Sequence, residues 1–207
     1  MAEECANFGV LSHHCELDVT SSEDIQATVA ETVRRMGRID ILVNNATYPR
    51  GDDRVPLPDL DDDLWRRIID VNLTGTMLCS KYVARQMIAQ GDGGSIVNIS
   101  SVVGARGGAN TAAYATAKGA LHILTGSPAA ELGPEGITAK VVAPGFIDTA
   151  RIDELREGDR WERRLRTIPP RRAGTVREVA DTVRHLCGPS TRWLSSQTIY
   201  IDGGETR

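Results

Sequence analysis

Two hydrophobic periods alternate along the chain. Short β-branched runs at Cys15–Val19, Ile39–Val43, Ser95–Ile99, Thr138–Val142 and Thr198–Ile201 read as strands. Between them, Ser22–Met36, Asp62–Gln90, Thr111–Leu132 and Thr175–Leu186 carry a helical period. Strand, helix, strand repeated in this way predicts an α/β fold: one doubly wound, mainly parallel sheet with right-handed crossovers, spanning residues 1–207 as a single domain. The punctuation agrees. Ser21, Ser22, Glu23 and Asp24 place capping oxygens and acids at a helix start, Gly37 follows its end, and Thr175 with Glu178 fits a capping box. Gly126 and Pro128 are expected to interrupt the helix beginning near Thr111, because an interior proline removes a donor and costs about 3 kcal/mol.

Composition narrows the classes. The 207 residues are 41% hydrophobic and 25% charged, which is globular rather than disordered or fibrous. A formal charge of −4 argues against nucleic acid or an anionic membrane as partner. No apolar run approaches the roughly 20 residues of a membrane span, and the acidic opening is no secretory signal, so a cytoplasmic protein is expected. Cys5, Cys15, Cys79 and Cys187 lie far apart and read as free thiols. No metal site is expected, since His13, His14 and Cys15 would alternate between the faces of a strand.

The chemistry centres on Tyr114-Ala-Thr-Ala-Lys118. Four residues apart on a helix, the phenol and the ammonium share a face. A phenol titrating near pH 10 is a poor acid or base at neutrality, and a neighbouring cation favours its ionised form. Alone the pair is a weak signal, but polar clusters stand where strands end. They are Asn44-Asn45-Ala46-Thr47, Ser100-Ser101, and Ala143-Pro144-Gly145-Phe146-Ile147-Asp148-Thr149; Asn72 also interrupts an apolar helix face. Ligands bind at the carboxyl edge of open α/β sheets.

These residues, with Asp18-Val19, Val71-Asn72 and the closing Ile201-Asp202-Gly203-Gly204, resemble the short-chain dehydrogenase/reductase family, in its compact branch near the β-ketoacyl-carrier-protein reductases. The matches span essentially the whole chain in family order. The resemblance implies a Rossmann-like sheet and NAD(H) or NADP(H)-dependent interconversion of a secondary alcohol and a ketone. It implies Tyr114 as the proton donor and acceptor, and Lys118 as the residue that tunes Tyr114 and holds the nicotinamide ribose. Ser101, thirteen residues before the tyrosine, is implied on the substrate oxygen in preference to Ser100, and Asn72 on a relay water. It further implies Asp18 and Val19 at the adenine, Asn45 and Ala46 at the nicotinamide ribose, and Pro144, Gly145, Ile147 and Thr149 beside the nicotinamide. A homodimer or tetramer is implied, with its interface put in question by Pro128.

The sequence departs from that pattern at its start. No glycine-rich turn opening a helix after a first strand is present, so the first β-α-β unit and its phosphate cradle are expected to be missing, as in a truncated gene copy or a mis-set start. That predicts weakened cofactor binding, an exposed edge at Ile39–Val43, and a rescue in which Cys15–Val19 pairs with Ile39–Val43. The competing reading is a catalytically silent fragment that keeps only the fold and its oligomerisation surfaces. Thr47 stands where glycine is usual, and Lys140 where asparagine is common. The arginine-rich stretch 148–172 is a candidate lid; it leaves the substrate open.

Overall fold

A computed structural model describes residues 9–48, 54–149 and 159–206. Four parallel strands form the main sheet in the order β1 (Ile41–Asn44), β2 (Gly94–Ile99), β3 (Ile137–Pro144) and β6 (Thr198–Ile201). A two-stranded parallel ribbon pairs β4 (Ile147–Asp148) with β5 (Gly174–Thr175). No described helix is long and apolar enough to cross a membrane.

Strand alternation sorts the core into two faces. Leu42, Ile96, Ile137 and Ala139 point to one, where they pack with Val29 of α1 (Ser22–Met36). Val83, Ala84 and Met87 of α3 (Gly75–Gln90), and Ala129 of α5 (Ala112–Glu131), complete that layer. Val97 and Val142 point the other way, against Val179, Val183 and Leu186 of α7 (Val176–Leu186). The steps β2 to β3 and β3 to β6 run in the same direction across the sheet, but α5 and α7 lie on opposite faces. Their crossovers therefore have opposite hands, which corrects the uniformly right-handed expectation. The change falls in the long 145–175 connection, which carries a ribbon of its own.

Caps form as the sequence indicates. Ser21 accepts from Asp24 N at the start of α1, Gly37 closes that helix at φ 86°, and Thr175 with Glu178 forms a full capping box on α7. Three expectations are corrected. First, Cys15–Val19 is not a strand and does not pair with 39–43. The Asp18 carboxylate is spent on Thr20 N (2.8 Å) and Thr20 Oγ1 (2.7 Å), a turn that leads into α1. Val19 docks instead on Gly75, where an added Cβ would lie 2.8 Å from Val19 Cγ2. Second, the 62–90 helix is unbroken but not α-helical throughout. It is α2 (Asp62–Ile69), a π-helical turn over Asp70–Thr74, and then α3. Third, α5 runs through Gly126 and Pro128. Pro128 lies in the last turn, so it deprives a single carbonyl, and its own oxygen still accepts from Leu132 N at 2.9 Å. The exposed edge is as expected: β1 pairs only with β2 among the described strands, leaving Ile41 46% and Val43 40% exposed.

Candidate active site

The carboxyl ends of β1, β2 and β3 open into one cavity of about 1590 Å³. β2 runs directly into Ser100 and Ser101, and the two adjacent hydroxyls separate at once. Ser100 is buried, contacts His122 Nε2 at 2.8 Å and donates to the Lys118 carbonyl at 2.7 Å. Burial pushes the His122 imidazole below its usual value, towards the neutral form. Ser101 caps α4 (Val102–Arg106) by accepting from Val103 N at 3.3 Å, and it lines the cavity. Both serines line the cavity, but the Ser100 hydroxyl is committed to Lys118 and His122, which leaves the Ser101 hydroxyl with its proton to donate.

Tyr114 and Lys118 enter from the first turns of α5. The Lys118 side chain is almost wholly buried, its Nζ donates to the Ile99 carbonyl at 2.8 Å, and it stands 5.9 Å from the Tyr114 ring centroid. A pair of glycines permits this. A Cβ on Gly104 would meet Gly119 N and Lys118 C at 2.7 Å, and one on Gly119 would meet the Gly104 carbonyl at 2.7 Å. α4 and α5 therefore cross backbone to backbone, which brings Lys118 beneath the end of β2. Neither glycine carries a local sequence signal for this contact.

Asn72 sits in the π-helical turn, fully buried. Its Oδ1 accepts from Thr47 Oγ1 at 2.7 Å and from Tyr48 N at 3.1 Å, while its Nδ2 has no hydrogen-bond partner among the described residues. An amide donor held at zero exposure with its other end doubly satisfied is oriented for a ligand or water, since an orphaned buried donor costs about 1–3 kcal/mol. Thr47, the departure from glycine, thus supplies the hydroxyl that fixes this amide.

Of the candidate residues, Asn45, Ser101, Tyr114, Lys118, Pro144, Gly145, Ile147 and Thr149 line the cavity together. Asp18, Val19, Ala46 and Asn72 are not part of its lining. Sequence reading missed the buried polar ladder under the site. Asn44 Nδ2 donates to Asn98 Oδ1 (2.8 Å) and Ser80 Oγ (3.0 Å), and Asn98 Nδ2 donates to Thr125 Oγ1 (2.9 Å). Its only sequence signal is asparagine at an inward strand position.

A family profile described as Enoyl-(Acyl carrier protein) reductase matches residues 1–206. The short-chain reductase NovJ of Streptomyces niveus is 44% identical over 193 residues, covering 90% of this chain and 72% of the relative. A 3-oxoacyl-[acyl-carrier-protein] reductase, FabG of Staphylococcus aureus, is 36% identical over 204 residues, covering 99% of this chain and 81% of the relative. Among solved structures, a protein assigned as a gluconate dehydrogenase from Agrobacterium tumefaciens superposes with a TM-score of 0.93. It is 32% identical and covers 99% of this chain and 80% of its own.

Proposed function

The chain belongs to the short-chain dehydrogenase/reductase family, and from that premise we propose that it is an NAD(P)-dependent oxidoreductase interconverting a secondary alcohol and a ketone. One observation carries the reading. Tyr114 stands on the wall of a large cavity with the Lys118 ammonium beside its ring, and that ammonium is anchored to the end of β2.

In the reducing direction, Tyr114 gives its phenolic proton to the carbonyl oxygen, which Ser101 holds by a hydrogen bond. Lys118 stabilises the phenolate that forms, because an ammonium within a few ångströms favours the charged state. The proton returns to Tyr114 by way of Lys118 and a water on Asn72 Nδ2, the buried donor without a partner among the described residues. In the oxidising direction the same groups run in reverse, with Tyr114 taking the hydroxyl proton.

The nicotinamide half of a dinucleotide fits the donor set present. The cavity exceeds the roughly 300–1,000 Å³ of ordinary ligand sites, leaving room for a dinucleotide beside a substrate. Lys118 and Asn45 would hold the nicotinamide ribose, and Pro144, Gly145, Ile147 and Thr149 would bound the ring. When bound, the dinucleotide supplies or accepts the hydride; orientation and proton transfer belong to the protein.

Tyr114→Phe is the test, read by nicotinamide absorbance for turnover and by fluorescence titration for cofactor binding. Loss of turnover by about 10²–10⁴-fold, with cofactor affinity held within about twofold, is expected for removal of a general acid. Turnover retained in the variant would remove Tyr114 from the chemistry.

A further inference from the structure

The cavity is charged against the grain of the molecule. Arg54, Arg106, Arg160, Arg163, Arg164 and Arg184 line it together with Lys118, and its described lining includes no aspartate or glutamate, in a chain of net charge −4. Among the described residues, some of these arginines have only exposed acids for partners. Arg163 meets Asp159 at 2.8 Å and Arg184 meets Asp181 at 3.7 Å, with all four side chains at least half exposed. Pairs of that kind hold a side chain weakly.

Two arginines are held differently. Arg106 ends α4, the helix that Ser101 caps, and Arg164 lies in α6 (Arg160–Leu165). Both bind the carboxylate of Glu205, whose side chain is only 4% exposed. Arg164 Nη2 reaches Glu205 Oε1 at 2.7 Å and Oε2 at 2.8 Å, and its Nη1 donates to Thr167 Oγ1 at 2.6 Å. Its guanidinium carbon lies 4.9 Å from the centroid of the Phe146 ring. Arg106 Nη2 binds Oε1 of the same carboxylate. Phe146 follows Gly145 at the end of β3, so this braced pair borders the same cavity as Ser101, with Phe146 against Arg164.

Two guanidinium groups sharing one carboxylate leave one positive charge uncompensated. The buried acid and the aromatic face also hold both planar groups in place. Arginine side chains normally lose rotamer freedom when fixed. Here that loss is taken in folding, so an incoming anion meets donors already in position.

We propose that Arg106 and Arg164, braced by Glu205, form an anion seat on the wall of the cavity that Ser101 and Tyr114 also line, and that the substrate is a carbonyl or hydroxy compound bearing a carboxylate or phosphate. The seat receives the anionic group while the reacting carbon faces Tyr114 and Ser101. This assignment rests on the oxidoreductase reading for the second half of that statement; the seat itself does not require turnover.

The test compares matched ligands that differ in charge: acetoacetate against methyl acetoacetate, and dihydroxyacetone phosphate against dihydroxyacetone. Affinities come from ligand-observed NMR titration of the whole chain, and turnover is followed in parallel with a nicotinamide cofactor. At least one charged member is expected to bind about tenfold or more tightly than its neutral partner, the scale of a charge-assisted arginine contact. Which pair shows the preference separates carboxylate from phosphate.

Arg106→Gln and Arg164→Gln should each reduce that preference about tenfold, whereas Arg163→Gln should keep it within about twofold. Should Arg164→Gln fail to fold, Arg164→Lys keeps the charge without the fork and should show a smaller drop. Equal binding of charged and neutral members overturns the seat, as does an equal fall in Arg163→Gln, which would mean a diffuse field. A charge preference with no turnover of any member, acid or neutral, overturns the oxidoreductase reading and leaves the seat standing.

Discussion

On one face of the sheet, Leu42, Ile96, Ile137 and Ala139 lie beneath α1, α3 and α5, and Asn44 and Asn98 are sealed in with them. On the other, Ile41, Val43, Ile99 and Val142 have α7 alone above them among the described helices, and Ile41 and Val43 are open to solvent. The strands are the same and the alternation is the same, so strand pattern does not decide whether a face closes. Helix supply decides it. The closed face seals Asn44 and Asn98 under a complete helix layer, where they bond each other. The open face offers space, and the cavity with its cations occupies that space.

The largest effect expected of this contrast falls on the closed face. Asn98→Ala removes an acceptor from Asn44 Nδ2 and a donor from Thr125 Oγ1, and leaves a void beneath α5. Unsatisfied buried groups cost about 1–3 kcal/mol each, so a loss of about 2–4 kcal/mol is expected in chemical denaturation. A loss below about 1 kcal/mol would mean that water reaches the ladder and that the face is not closed.

The same contrast separates what could be read in the sequence from what could not. The four sheet strands, α1, α7 and both of their caps follow from local period and capping chemistry, and they form where those rules place them. Ser101 could be preferred over Ser100 by spacing alone, and the structure supplies the reason in the bonds from Ser100 to Lys118 and His122. Cys15–Val19 has a strand's composition but no ladder, because a strand exists only through a partner that its own residues do not specify. The π-helical turn at Asn72 was equally hidden, and so were the bonds its amide oxygen accepts from Thr47 and Tyr48, which follow the end of β1. The Gly104–Gly119 approach and the Arg106–Glu205–Arg164 brace join residues 15 to 99 positions apart, and no local period records them.

A middle effect belongs to Lys140. It points towards the α7 face yet is buried, held by Thr138 Oγ1 at 2.7 Å and Ser95 Oγ at 3.2 Å, with Cys187 as the ionisable neighbour. Burial pulls its ammonium below the ordinary 10.5, and the nearby thiol opposes this in part. With a folded value below the unfolded one, the unfolded chain binds more protons between the two. Stability from this residue therefore rises with pH through that window. Lys140→Met removes the rise. The difference in denaturation midpoint, wild type minus variant, should climb from pH 7 towards pH 10. At pH 7 the variant should lie within about 1–2 kcal/mol of wild type or above it, since buried charges are often replaced by apolar groups without loss. A flat difference would mean that Lys140 is hydrated, and that α7 covers less of its face than the packing of Leu186 indicates.

The smallest effect is the most direct probe of the open face. Val43 is 40% exposed on an edge strand, so Val43→Thr exchanges a methyl for a hydroxyl that water can satisfy. Stability should change by no more than about 0.5 kcal/mol, as for other exposed positions. Binding of an apolar fluorescent dye, and concentration-dependent association in sedimentation, should both fall. The same exchange at Val97, wholly buried one strand away on the same face, would strand a hydroxyl and cost several times more. If Val43→Thr instead costs more than about 1.5 kcal/mol, something covers that edge in solution. The asymmetry between the two faces would then belong to the isolated chain and not to the protein as it works.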